Sequence, residues 1–144
     1  MTIDADLVTR KLLLVAADLD PLATIESRGV AAYVGNIVDQ AVVERRLERA
    51  IGRMIDVNFH VLTASGQPPP PDYHSSFLRL SELGVLDPEF ARQIARAAGL
   101  RNRLVHDYDD LDPRLVFEAL GHALSEIPRY LAAVTAHLKR SFGE

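Results

Sequence analysis

The C-terminal stretch PRLVFEALGHALSEIPRYLAAVTAHL, residues 113–138, decides the fold class of this chain. Its apolar residues recur every three or four positions, which places them on one face of an α-helix. They are Val116, Ala119, Leu120, Ala123, Leu124, Ile127, Leu131, Val134 and Leu138. Asp112 and Pro113 are typical of a helix start, whereas Pro128 predicts a kink. A long helix with one apolar face needs partner helices, so the sequence predicts a helix bundle.

Glycine and proline residues divide the chain upstream of this helix into further segments with helical periodicity. These segments run from about Asp4 to Leu22, Ala31 to Ala64, Ser75 to Leu83 and Pro88 to Val105. Asp4 and Asp87 are suited to cap the helices that they precede, and the prolines at 68–71 favour an extended link. No segment shows the alternation that is typical of a strand. The sequence therefore predicts an all-α fold, an antiparallel bundle of four to five helices.

Length and composition predict one soluble domain. The chain has 144 residues, of which 48% are hydrophobic and 25% charged, a mixture that one packed core can serve. We therefore expect a single domain over residues 1–144. The longest purely apolar run, Leu12–Ala17, is far shorter than the roughly 18 residues that cross a bilayer. Together with the acidic start Thr2–Asp6, this predicts a cytoplasmic protein with no membrane partner.

The sequence lacks the residues that several kinds of catalytic site require. The absence of cysteine excludes disulfides, thiolate zinc sites and cysteine nucleophiles. Glycine-rich phosphate loops and serine-centred triads are also absent. Four histidines are scattered without carboxylates at a ligand spacing: His60, His74, His122 and His137. The acidic tract 107–112 lacks the glycine and glutamate of a calcium loop. We therefore predict no metal site and no cofactor.

Net charge limits how the chain can bind nucleic acid. A formal charge of −4 disfavours a long nucleic-acid footprint, because phosphate neutralisation supplies most of such affinity. Four arginines nevertheless fall together while most acidic residues lie elsewhere: Arg92, Arg96, Arg101 and Arg103. The sequence is therefore compatible with a short basic cleft.

Residues 101–108, RNRLVHDY, carry the candidate chemistry. Histidine exchanges protons near neutral pH and the arginine fork matches two phosphate oxygens, so His106 and Arg101 are suited to cleave a phosphodiester. In a continuous helix they differ by about 140° around the axis, so a reaching arginine or a frayed helix end would have to bring them together. One arginine and one histidine are few catalytic groups for this reaction, and two protomers could combine their pairs in one site. The same residues could instead cap and pack the helix end.

The motif and its surroundings resemble the HepT-like toxins of the HEPN superfamily. RNRLVHDY is similar to their R-x4-H-x-Y signature, including the polar residue after the arginine, here Asn102. The preceding segments have a similar order: AIGRMIDVNFHVL at 50–62, a proline-rich link, YHSSFLRL at 73–80 and LGVLDPEFA at 83–91. With the final amphipathic helix, the resemblance covers about residues 35–140.

The resemblance implies a metal-independent endoribonuclease toxin that acts as a homodimer. Arg101 and His106 would be its catalytic residues, supported by Asn102, in a composite site that two subunits build to cleave an RNA substrate. It also implies a cognate minimal nucleotidyltransferase antitoxin, which would neutralise the toxin by AMP transfer to Tyr108. An adenylylated Tyr108 would place an anion two residues from His106, where it competes with the substrate phosphate.

Other functions remain open from the sequence. A non-catalytic HEPN-type subunit would only bind a nucleotidyltransferase partner or a nucleotide, a role that the acidic composition favours. A structural dimerisation bundle would use the motif for packing alone. Asp56 is open as well, because it could hydrogen bond to His60 one helical turn away or lie near the catalytic cleft.

Overall fold

The computed structural model describes residues 2–142, apart from the side chain of Tyr108. Within them the chain folds into α-helices and one short 3-10 turn, without any strand. The helices are α1 (Ala5–Ser27), α2 (Val30–Val34), α3 (Ile37–Ala64), α4 (Tyr73–Glu82), α5 (Pro88–Ile94), α6 (Arg96–His106) and α7 (Pro113–Ser141), and the turn is Tyr108–Asp110. The predicted all-α bundle is confirmed. No helix in this part of the chain is long and apolar enough to cross a membrane.

The helix predicted over 31–64 is broken near its start. Asn36 separates α2 from α3, and its side chain caps α3 by accepting a hydrogen bond from the Asp39 amide at 3.0 Å. A second break, at Ala95, separates α5 from α6 in the segment predicted as one helix from Pro88. Breaks this short leave the apolar period nearly unchanged, so the period alone does not reveal them.

Helix α1 is longer than the sequence predicts. The prediction ended it at about Leu22, whereas the helix continues past Pro21 to Ser27. Proline removes one backbone hydrogen bond, but Val15 and Leu22 on either side of it are fully buried and hold the helix on the bundle core. Tertiary packing therefore overrides the local preference of Pro21.

Helices α1 and α3 form an antiparallel pair. The Asp4 amide, just before α1, donates a hydrogen bond to His60 Nε2 near the end of α3 at 2.9 Å. Further along α1, the buried Asp18 carboxylate pairs with Arg46 and Arg53 at 2.9 and 3.2 Å. The partners move backward along α3 as the chain advances along α1, which defines the antiparallel direction.

Helix α3 lies at the centre of the bundle and contacts α1, α2, α4, α6 and α7. A buried polar network joins it to two of these helices. The Tyr130 hydroxyl of α7 lies 2.5 Å from Asn58 Oδ1, and the Asn58 side-chain amide donates to Ser76 Oγ of α4 at 3.1 Å. The network fixes α4 against α3. Helix α6 contacts both α3 and α4. A cleft lies between these three helices.

Candidate active site around Arg101

Helix α6 presents the motif at its C-terminal end. Leu100 and Leu104 lie one turn apart and are buried, which anchors the helix on the core. Arg101 is half-buried, whereas Asn102 and His106 are exposed. His106 is the last residue of the helix, a position where a cationic side chain is favourable. The two catalytic candidates therefore belong to the same helix but have different surroundings.

Arg101 enters a cleft between α3, α4 and α6 that has a cavity volume of about 320 Å³. The residues that line this Arg101 cleft are Gly52, Ile55, Asp56, Phe59, Tyr73 and Arg101 itself. Helix α3 supplies the first four at helical spacing, and α4 supplies Tyr73 at its first position. The cleft therefore depends on contacts between segments that are distant in sequence.

The guanidinium of Arg101 is held by an aromatic ring. Its Cζ lies 5.4 Å from the ring centroid of Tyr73, a cation–π distance. Gly52 makes room for it, because a Cβ at that position would lie 3.4 Å from Arg101 Nε. That Nε is buried without a hydrogen-bond partner, and Arg101 forms no ion pair with another described residue. The guanidinium therefore keeps its capacity to bind an anion.

Asp56 and His60 have different partners. Asp56 Oδ2 lies 3.3 Å from Lys11 Nζ of α1, in an exposed ion pair at the edge of the cleft. His60 Nε2 instead accepts a hydrogen bond from the Asp4 amide. Asp56 therefore forms no hydrogen bond to His60 among the described contacts and lines the Arg101 cleft.

Arg101 and His106 of one chain do not share a cleft. His106 is not part of the lining of the Arg101 cleft, and neither His106 nor Asn102 forms a side-chain hydrogen bond within residues 2–142 as described. This separation agrees with the angle of about 140° expected from helix geometry. The side chain of Tyr108, the expected AMP acceptor, lies outside the described residues, and only its backbone in the 3-10 turn is described.

Sequence reasoning missed the aromatic wall of the cleft. The ring centroids of Phe59 and Tyr73 are 6.1 Å apart with their planes at 80°, an edge-on arrangement, and 42% of Tyr73 is exposed. The sequence signal for Tyr73 is only its place after the Asp72 cap. Gly52 carries a clearer signal, because a glycine inside a helical pattern often marks a close approach.

Two other features concern the surroundings of the motif. A groove between α6 and α7, of about 700 Å³, has Leu100 and Val116 in its apolar lining and Arg103 and Asp107 among its polar residues. In the part of the chain that the structure describes, no group of three His, Asp or Glu side chains is arranged to hold a metal ion.

Comparisons with known proteins point to one family. A family model described as Ribonuclease HepT-like matches residues 17–134. The chain is 35% identical over 136 residues to the tRNA nuclease HepT of Aphanizomenon flos-aquae, a match that covers 94% of this chain and 92% of that protein. It is 24% identical over 90 residues to the mRNA nuclease HepT of Shewanella oneidensis, which covers 62% of this chain and 68% of that protein.

A solved structure has the same arrangement of helices. It is a tri-AMPylated Shewanella oneidensis HEPN toxin in complex with an MNT antitoxin. This chain matches it with a TM-score of 0.82 at 21% sequence identity, over 91% of this chain and 98% of that chain. At this identity the likeness concerns the fold alone, so the two chains share the same helical bundle.

Proposed function

Because the chain belongs to the HepT-like ribonuclease family, we propose that it is an endoribonuclease toxin that cleaves RNA without a metal ion, at a site built from Arg101 and His106 of two subunits. The observation that carries this proposal is the state of Arg101. Its guanidinium lies half-buried in an open cleft, over Tyr73 and without a carboxylate partner among the described side chains. Such a cation is suited to receive an RNA phosphate.

The proposed reaction is a transesterification that needs a base, an acid and a cation. A neutral His106 removes the proton of a ribose 2′-hydroxyl, and the resulting oxygen attacks the adjacent phosphorus. The bond from phosphorus to the 5′-oxygen breaks, and that oxygen takes a proton from the protonated His106 of the partner subunit. Arg101 stabilises the added negative charge on the phosphorane-like transition state. The products are a 2′,3′-cyclic phosphate and a 5′-hydroxyl.

The separation of His106 from the Arg101 cleft supports a site shared by two subunits. One chain offers a single exposed histidine at the end of α6, whereas the reaction uses one histidine as base and another as acid. A twofold axis beside the end of α6 would bring both histidines and both arginines together. A homodimer is therefore the proposed active form.

The proposed partner is a minimal nucleotidyltransferase antitoxin that transfers AMP to Tyr108. Support comes from the tri-AMPylated toxin of Shewanella oneidensis, which was solved in complex with an MNT antitoxin. AMP on Tyr108 adds a bulky anion two residues from His106, where it competes with the substrate phosphate. After incubation with the antitoxin and ATP, peptide mass spectrometry should find AMP on Tyr108. An unchanged mass, or AMP only on other residues, would contradict this mode of control.

Cleavage of RNA by the purified chain tests the proposed activity. We expect His106→Ala and Arg101→Ala each to lower the cleavage rate by roughly 10²- to 10⁴-fold with little change in thermal stability. His122→Ala and Arg92→Ala are matched controls, because both residues are exposed and lie outside the Arg101 cleft. Cleavage by the wild type should persist in EDTA. Equal cleavage by all these variants would contradict the assignment of the site.

Mixing of subunits tests the shared site. Co-expression of the wild type with an excess of His106→Ala should lower cleavage by more than dilution of the wild-type chain alone would. The reason is that each mixed dimer contains only one His106. Co-expression with His122→Ala should not. Sedimentation should give a dimer at the concentrations at which RNA is cleaved. A fully active monomer would contradict the shared site.

A second candidate function is a non-catalytic subunit that binds a nucleotidyltransferase partner or a nucleotide. The net charge of −4 favours it, because RNA-binding proteins usually depend on phosphate neutralisation. This function predicts that the wild type cleaves no RNA and that His106→Ala still binds the nucleotidyltransferase with unchanged affinity.

A further inference from the structure

The Arg101 cleft contains an exposed aromatic ring that the proposed chemistry does not use. Tyr73 begins α4, and 42% of its surface is exposed, although its ring lies beside both Arg101 and Phe59. The edge-on contact with Phe59 restrains the Tyr73 ring without covering the whole of it. The cleft therefore offers a rigid aromatic surface next to an arginine.

The lining of the cleft also includes a carboxylate, Asp56, that can accept hydrogen bonds. Asp56 Oδ2 is paired with Lys11 Nζ at 3.3 Å, and the Asp56 side chain is 60% exposed. Asp56 Oδ1 accepts no hydrogen bond from any side chain or amide that the structure describes. An exposed ion pair of this kind is weak, so the carboxylate can take a further donor without a large loss.

We propose that the Arg101 cleft is a nucleotide subsite that binds one unstacked nucleoside of the RNA substrate. The base lies against the Tyr73 ring, its phosphate lies on the guanidinium of Arg101, and Asp56 accepts a hydrogen bond from an exocyclic amino group of the base. The proposal rests on the proposed ribonuclease function and adds to it a specificity-determining pair, Tyr73 and Asp56.

The combination of groups fits a single nucleotide. Proteins recognise single-stranded RNA by stacking its bases on aromatic side chains or arginine planes and by hydrogen bonding to the base edges. A carboxylate accepts hydrogen bonds from amino groups and disfavours the carbonyl edge of uracil. A cavity volume of about 320 Å³ is at the small end of ligand pockets, which suits one nucleoside and not a duplex. Arg101 forms no ion pair with another described residue, so its guanidinium can supply the phosphate contact.

Binding of 5′-CMP to the wild-type chain tests the subsite independently of cleavage, because this mononucleotide contains no bond that the proposed reaction could break. In amide-detected NMR titrations, we expect 5′-CMP to shift the signals of Gly52, Tyr73 and Arg101 and to bind more tightly than inorganic phosphate. Tyr73→Ala and Tyr73→Leu should each weaken 5′-CMP binding by at least about fivefold. Tyr73→Phe retains the ring and should bind within about twofold of the wild type.

The role of Asp56 has its own comparison. The wild type should bind 5′-CMP more tightly than 5′-UMP. Asp56→Asn should reduce this preference, because its side-chain amide can accept a hydrogen bond from the amino group of cytosine and can also donate one to the carbonyl of uracil. Tyr73→Leu keeps apolar bulk in the cleft, so its circular dichroism spectrum and thermal stability should match those of Tyr73→Phe. Loss of 5′-CMP binding in a folded Tyr73→Leu variant then reflects the missing aromatic surface.

The outcomes separate the subsite from the ribonuclease function. If 5′-CMP binds no better than phosphate, shifts signals elsewhere, or binds Tyr73→Leu as well as the wild type, the subsite is overturned even if the protein cleaves RNA. Equal binding of 5′-CMP and 5′-UMP overturns the role of Asp56. If 5′-CMP binds as expected but no RNA is cleaved, the ribonuclease proposal fails and the nucleotide site stands.

Discussion

Two regions of the molecule use arginine in opposite ways, and they meet at neighbouring positions of α3. In the Asp18 cluster, Arg46 and Arg53 pair with a carboxylate that is 4% exposed. In the Arg101 cleft, which begins at Gly52 next to Arg53, the arginine has an aromatic neighbour and no carboxylate partner among the described residues. A charge that is neutralised inside the fold contributes to structure, whereas a charge that is left open is available to a ligand.

The largest expected contrast is between lysine substitutions in the two regions. Arg101→Lys keeps the charge but loses the planar fork that contacts Tyr73, so cleavage should fall by roughly 10- to 100-fold with almost unchanged stability. Arg53→Lys should keep wild-type cleavage and lower the free energy of unfolding. RNA cleavage rates and urea unfolding of both variants measure this. Loss of activity in both, or in neither, would break the comparison.

The two regions also differ in how well the sequence predicts them. The apolar period predicted the last helix over 113–138, because burial of one face is a local pattern. The break at Asn36 was missed because it leaves that pattern nearly intact, although an Asn cap is a local signal that could have found it. The end of α1 was missed because packing around Pro21 overrides the local preference of proline.

For the site, the motif identifies Arg101 and His106 as candidates, but not their surroundings. Tyr73 and Gly52 reach Arg101 only after α3, α4 and α6 have packed together, and no local pattern encodes such a contact. Asp56 has two possible positions from its sequence spacing, and only the packed structure distinguishes them. The roles of Asn102 and Tyr108 stay predictions from the family resemblance.

Removal of the carboxylate from the Asp18 cluster should give the next largest effect, on stability and not on activity. Asp18→Ala leaves two arginines without their buried partner, and we expect it to lower the free energy of unfolding by roughly 1–3 kcal/mol. Both arginines are partly exposed and can turn toward water, which limits the cost. Asp56→Ala removes an exposed ion pair and should cost less than about 1 kcal/mol. Urea unfolding of both variants measures the two losses of unfolding free energy. An equal loss would show that the burial of Asp18 does not make its ion pairs more stabilising than the exposed pair of Asp56.

Substitution of Gly52 tests how closely the cleft fits its arginine. An alanine Cβ at this position would lie 3.4 Å from Arg101 Nε, which is just tolerable, and alanine favours the helix. We expect Gly52→Ala to raise the free energy of unfolding by about 0.5–1 kcal/mol and to keep most of the cleavage activity. Gly52→Leu should stay folded but displace the guanidinium and lose activity. Full activity of Gly52→Leu would show that Arg101 does not need this cleft.

The smallest expected effect is a loss of stability at the exposed start of α4 when the pH becomes acidic. Asp72 caps this helix by accepting a hydrogen bond from the Ser75 amide at 2.7 Å, and that bond lowers the pKa of the carboxyl below its ordinary value. A depressed carboxyl pKa adds stability above the unfolded value, about 3.9, and the contribution is lost as pH falls through the folded pKa. The first turn of α4, which holds Tyr73 one residue after Asp72, should therefore become less stable below about pH 4.

Asparagine at position 72 provides the matched control, because it caps helices as well as aspartate but does not titrate. Amide exchange at Ser75, followed from pH 6 down to pH 2, should increase in the wild type relative to Asp72→Asn once the carboxyl is protonated. Asp72→Ala should exchange rapidly at every pH. Asp18 is buried and its partners lie on α3, far from the start of α4 in sequence, so amides of α1 near it should not follow the same difference between wild type and Asp72→Asn. Identical pH profiles for the wild type and Asp72→Asn would mean that packing on α3, and not the cap, holds the aromatic wall of the Arg101 cleft.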